Sequence, residues 1–212
     1  MERRPLATRN KPWAKALAAR LAAMGVSPNA VSLASVAFAA VAGVALGASS
    51  VATGVARVAL LLAGAACVQL RLLCNMIDGM IAVEGGKRSI YGDLYNDAPD
   101  RFADVAILVG AGYGTGTQWG LELGWAAAVM AVMTAYVRVL GGALGVTQHF
   151  CGPMAKPHRM ATVTVAAILA TGEPLWHRQG LVFAVALGAI AIGAVFGFAR
   201  RLQLISQELR AR

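Results

Sequence analysis

The chain has 212 residues, 58% of them hydrophobic and 14% charged, with a mean hydropathy of +0.63. A crossing helix takes roughly 20 apolar residues, so the length holds about six crossings and leaves no room for a soluble catalytic domain. The net charge of +9 comes from basic residues set between apolar runs, not along an aromatic-studded stripe. That pattern argues against nucleic acid and for anionic phospholipid headgroups and phosphate-bearing substrates.

In chain order, Trp13, Leu17, Leu21 and Met24 recur at helical spacing, with Lys11, Lys15 and Arg20 off that stripe. Residues 1–26 are therefore expected to carry an amphipathic helix lying in the membrane interface. A cleaved signal peptide fits poorly, because the apolar run that follows is long enough to span. Sustained hydrophobicity predicts spans near 28–49, 55–83, 98–116, 122–144, 158–175 and 179–204. Ser27 can cap the first of these, and Pro28 suits its first turn. The expected fold class is an all-α integral membrane protein: an interfacial segment over 1–26, a six-helix transmembrane domain over 27–206 and a tail over 207–212. Gly43 with Gly47, and Gly193 with Gly197, are spaced for close helix packing. Two longer loops are expected, around 84–97 and 145–157.

Of the 19 Lys and Arg residues, only Arg57 and Arg178 fall on the outer side of a six-span layout that starts inside. Arg71, Arg101 and Arg138 lie within predicted spans, and all the others fall inside. Both termini are thus expected to be cytoplasmic. Cys67, Cys74 and Cys151 are scattered and odd in number, and the three histidines have no zinc-like spacing with them. Neither a disulfide framework nor a zinc site is expected.

Six of the ten acidic residues, Asp78, Glu84, Asp93, Asp97, Asp100 and Asp104, fall between positions 78 and 104. Ionisable groups bordering a span are costly and mark a site, whereas a merely solvated face would not be flanked by apolar helix on both sides. At the end of the second span, Arg71, Asn75, Asp78 and Ala82 share a helical face. At the start of the third, Asn96, Asp100 and Asp104 form one stripe. Two helix ends would thus offer carboxylate and amide oxygens to one cytoplasmic pocket, the donor set that hard cations such as Mg2+ or Mn2+ prefer.

The stretch Asn75-x2-Asp78-Gly79-x2-Ala82-Val83-x8-Gly92-x3-Asn96-x3-Asp100 resembles the CDP-alcohol phosphatidyltransferase signature D-x2-D-G-x2-A-R-x8-G-x3-D-x3-D. Every spacing agrees, and Asp78, Gly79, Ala82, Gly92 and Asp100 are identical. The resemblance implies a metal-dependent enzyme that moves a substituted phosphoryl group from a CDP-alcohol, commonly CDP-diacylglycerol, to the hydroxyl of a polar alcohol, releasing CMP. It also implies a homodimer. Carried over by position, Asn75, Asp78, Asn96 and Asp100 would face a Mg2+ or Mn2+ pair, and Asp100 would take the acceptor's proton. Gly79, Ala82 and Gly92 would let the cytidine and diphosphate approach the backbone.

Three positions depart from the signature: Asn75, Asn96 and Val83. An asparagine carbonyl can ligate a cation but brings no charge, so the expectation is one firmly held metal and a second recruited by substrate. Asp93 or Asp97 could replace the missing carboxylates, Asp97 only through a local distortion that Pro99 permits. Asn96 or Asp97 could instead cap the third span, and Asn75 could be an interhelical hydrogen-bonding residue.

Arg138, Lys156 and Arg159 are candidate diphosphate or acceptor contacts. For Lys156 and Arg159 a cation at a helix start opposes the macrodipole and so calls for a purpose. Their alternatives are snorkelling and a positive-inside anchor. Arg101 is expected to pair within its helix, and Arg71 to hold Asn75 or the substrate. Two other functions stay open. One is a catalytically silent relative that binds a CDP-lipid or a partner. The other is a small transporter, which would gather its charges near the midplane instead of at one edge.

Overall fold

The computed structural model describes residues 11–84 and 92–211; the side chains at 83, 84, 92, 93, 95 and 96 also lie outside the description. Among these residues seven α-helices form: α1 Pro12–Ala23, α2 Pro28–Ala48, α3 Gly54–Glu84, α4 Gly92–Gly114, α5 Gln118–Ala143, α6 Lys156–Ala170 and α7 Leu181–Arg210. A single 3-10 turn, Glu173–Trp176, separates the last two. No strand occurs among the described residues.

Local chemistry explains the boundaries. Ser27 accepts a hydrogen bond from the Ala30 amide at 3.2 Å with Pro28 in the first turn, so α2 starts as its sequence demands. Thr117 caps α5 in the same way through the Gly120 amide at 3.1 Å. α4 starts earlier than hydrophobicity alone suggests, because its first turns carry the acidic cluster. Of the expected 84–97 loop, residues 92–97 are helix while 85–91 lie outside the described residues, and Asn96 and Asp97 lie inside α4 and do not cap it. Pro99 is accommodated within the helix; having no N–H, it leaves the carbonyl four residues earlier without a helical partner.

α2, α3, α5 and α7 are long and apolar enough to cross a membrane. This is a multi-pass membrane protein. α4 carries Asp97, Asp100, Arg101 and Asp104 in its first half, and α6 has only 15 residues, about 22 Å of rise against roughly 30 Å of hydrocarbon. Four of the six expected spans thus meet the length and composition of a crossing helix among the described residues, and α4 and α6 pack among them.

α2 packs on both α3 and α4, α5 on α4 and α7, and α6 on α3 and α7. The core is built from Leu46, Leu61, Ile107, Met160, Phe183 and Leu187, filled in by many buried alanines. Small residues let backbones approach where no bulky apolar side chain would fit. At the α2–α4 crossing, a Cβ on Gly110 would lie 2.3 Å from the Gly43 carbonyl oxygen. Gly193 and Gly197 receive the connection before α6, since their added Cβ atoms would meet Met154 and the Pro153 carbonyl. That pair therefore seats a loop and not another helix.

α1 lies against α3 through its alanine face. Ala14 and Ala18 are buried with Met76, Ile77, Met80 and Ile81, flanked by Leu17 and Leu21. Trp13 and Met24 are exposed. The alanine face allows the closer approach to α3, leaving the larger side chains for the surrounding interface.

Candidate active site

Because successive helices alternate in direction, the start of α2, the end of α3, the start of α4, the end of α5 and the start of α6 meet at one end of the bundle. Each contributes a polar side chain. Asp78 on α3 is buried. Its Oδ2 accepts a hydrogen bond from the Ser32 hydroxyl at 2.6 Å, and its Oδ1 accepts from the Gly79 amide at 2.5 Å. Asp100 on α4 is also buried and receives donors from two helices. The Asn75 side-chain amide donates to its Oδ1 at 2.6 Å, Arg71 approaches the same oxygen at 3.4 Å, and the Lys156 ammonium pairs with its Oδ2. Asp100 and Lys156 are both within electrostatic reach of Asp78.

One turn deeper, Asp104 is held between two guanidinium groups. Arg71 Nη2 donates to its Oδ1 and Arg159 Nη2 to its Oδ2, each at 2.6 Å. Arg159 also donates to the Met154 carbonyl at 2.9 Å, which ties the start of α6 to the loop before it. Nearer the surface, Asp97 pairs with Arg101 at 3.0 Å and with Arg138, whose guanidinium lies 5.2 Å from the Phe150 ring centroid. Across the described side chains, five cations face four carboxylates. Arg71 Nε and Nη1 find no acceptor among the described residues. Burial pushes the Lys156 ammonium down to about 8, against the pull of Asp100.

The structure therefore brings Asn75, Asp78, Gly79, Asp100 and Lys156 together, with Arg138 at the rim and Ala82 half-buried one turn beyond Asp78. Gly92 and Asn96, the other two positions expected at the site, lie outside the described side chains. Arg159 is turned inward to Asp104 and is only 3% exposed. Arg71 holds Asp100 and Asp104 and not Asn75, and Asn75 uses its amide as an interhelical donor. A carboxylate accepts only, so the amide nitrogen has to face Asp100. Ser32 and the bracketing of Asp104 were not anticipated. The only trace of Ser32 in the sequence is a serine pair, Ser32 and Ser35, in an otherwise apolar run.

Among the described residues no three His, Cys, Asp or Glu side chains gather as a metal site. Two carboxylates and a nearby amide nevertheless fit a cation that keeps several waters and takes its remaining oxygens from a phosphate. Each Asp78 oxygen accepts one hydrogen bond from the described residues, which leaves a lone pair for such an ion.

No family model matches the chain. A bifunctional IPC transferase and DIPP synthase from Rubrobacter xylanophilus is 34% identical over 158 residues, which are 69% of this chain and 34% of that protein. The chain thus spans about a third of the length of the curated relative it matches. Two structures of Mycobacterium tuberculosis phosphatidylinositol phosphate synthase share the fold. The complex with manganese and citrate superimposes with a TM-score of 0.74 at 19% identity, covering 91% of this chain and 88% of that one. The CDP-DAG-bound form gives 0.72 at 22% identity, covering 91% and 92%. The signature spacing, the shared sequence and the common fold agree in making the chain similar to the CDP-alcohol phosphatidyltransferases.

Proposed function

We propose that this protein transfers a substituted phosphoryl group, in the first instance phosphatidyl, from a CDP-alcohol such as CDP-diacylglycerol to the hydroxyl of a polar alcohol, releasing CMP. One observation carries the reading. Asp78 and Asp100, at signature spacing on two different helices, are both buried and within electrostatic reach of each other, with the Lys156 ammonium on Asp100. In the same reading the domain spans 27–206 with six crossings, the pocket and both termini are cytoplasmic, and two copies pair as the family resemblance implies.

Asp78, Asp100 and the Asn75 amide oxygen would hold a Mg2+ or Mn2+, and Asn96 would add to this set. When bound, that ion neutralises the diphosphate so that an alcohol can attack. The chain's own residues do the rest. Asp100 takes the acceptor proton, and Lys156 and Arg138 counter the charge of the phosphates at the mouth of the pocket. Gly79, Ala82 and Gly92 leave space for the nucleotide. Arg159 supports the site by holding Asp104.

The test is purified protein in lipid nanodiscs with CDP-diacylglycerol, Mg2+ or Mn2+ and a pool of polar alcohols, followed by CMP release. Metal-dependent release that Asp100→Asn abolishes is the expected result. No release with any acceptor, while CDP-diacylglycerol still binds, would favour a silent relative that keeps the pocket without the chemistry. Asn75, Asn96 and Val83 are the residues that motivate this second reading.

A further inference from the structure

The side chain that meets Asp100 Oδ2 is a lysine ammonium on another helix. Lys156 is the first residue of α6, where the unpaired amides of the helix start disfavour a cation. A lysine serving only as a positive-inside anchor extends its ammonium toward the headgroups. This one turns inward, with its side chain 23% exposed. Around it stand Asp100, Asp104 and Arg71, and Asp78 feels its charge.

In sequence, the signature lacks two of its carboxylates here, at Asn75 and Asn96. Replacing two aspartates by asparagines removes two negative charges, which is the charge of one divalent ion. With two fewer negative charges, Asp78 and Asp100 balance one divalent cation and not a pair, and the ammonium adds a further positive charge that a second ion would have to oppose.

We propose that Lys156 is a built-in cation that takes the place, at Asp100, of one of the two metal ions the signature serves, so that this site holds a single divalent ion. The proposal rests on the transferase reading for its purpose, but not for its test. Lys156 acts as a positioning and charge-balancing residue. It holds Asp100 Oδ2 in place, so that this carboxylate stays aimed into the pocket without a second ion, and it adds a fixed positive charge where the diphosphate would lie.

The experiment is a Mn2+ titration of the full chain in detergent without nucleotide or lipid substrate, read by electron paramagnetic resonance of free Mn2+. The wild type is expected to bind one Mn2+ per chain; none, or two, overturns the proposal whatever any variant does. Lys156→Met removes the ammonium and keeps the stem. It is expected to tighten Mn2+ binding by about tenfold, while Lys156→Arg leaves the affinity within about twofold. An unchanged affinity in folded Lys156→Met would also overturn it. If Lys156→Met does not fold, the wild-type count decides alone. CMP release is measured separately. One bound ion without CMP release would leave this inference standing and remove the transferase reading, and two bound ions with release would do the reverse.

Discussion

Ser32 on α2 donates its hydroxyl to Asp78 on α3 at 2.6 Å, and that bond ties the second signature position to a neighbour 46 residues away in sequence. Both side chains are buried, so no solvent competes for the carboxylate oxygen. Ser32 therefore sets where Asp78 points. Replacing it with alanine leaves a buried acceptor short of one donor, at a cost of about 1–3 kcal/mol. Ser32→Ala should lower the melting temperature modestly and slow CMP release. Ser32→Thr, which keeps the hydroxyl, should recover most of the rate.

Asp104 lies outside the matched signature and should behave differently from Asp78. It sits between Arg71 and Arg159 with 1% exposure, and removing its charge strands two buried guanidinium groups. Breaking a buried pair from one side costs about 3–5 kcal/mol. Asp104→Asn should fail to accumulate or should melt well below the wild type, whereas Asp78→Asn should remain folded and lose CMP release. Thermal unfolding in detergent distinguishes the two.

At the opposite end of the bundle, Arg57 Nη2 meets Glu173 Oε2 at 2.6 Å, both essentially unexposed. Glu173 also accepts the Gly180 and Val182 amides at 2.9 and 2.8 Å, holding the start of α7, and Arg57 donates to the Ser49 carbonyl at 2.9 Å. Glu173→Leu alone should destabilise by about 3–5 kcal/mol, and adding Arg57→Met should restore part of that loss, because the pair is then removed together. A double-mutant cycle on melting temperature checks the sign of the coupling. No restoration would mean that the amide bonds, and not the ion pair, carry the stability.

Gly110 on α4 has no room for a methyl group. Its Cβ would lie 2.4 Å from Gly43 Cα, a backbone atom that cannot swing aside. Gly110→Ala should push α4 away from α2, the two helices that carry Asp100 and Ser32. Gly188→Ala, where nothing lies within 4 Å, should be nearly neutral. Comparing the two variants by thermal unfolding and CMP release separates a packing defect from a general intolerance of α-helical glycine substitution.

Much of this protein was legible without coordinates. Apolar run length placed all six long helices after the first, since hydrophobicity is a local sum and needs no partner. The end of α3 and the signature spacing were local in the same sense, so Asp78 and Asp100 stood out as candidate site residues on two helix ends. Where a feature depended on what lay opposite, the reading fell short. That α1 turns Ala14 and Ala18 to α3 was not legible, because closeness to α3 decides which face of α1 is buried. α4 began earlier than its hydropathy, since its first turns are stabilised by ion pairs such as Asp97 with Arg101 and Arg138.

From the order of its residues alone, the chain determined a membrane-embedded helical protein and an acidic pocket entrance at one end, because hydrophobic length and spacing along a helix are properties of single segments. Only the tertiary structure decided which partner each charge takes: Ser32 for Asp78, Lys156 for Asp100, two arginines for Asp104. A buried charge is settled by the nearest opposite group in space, and residues as far apart as 32 and 78, or 100 and 156, become neighbours only when the helices pack.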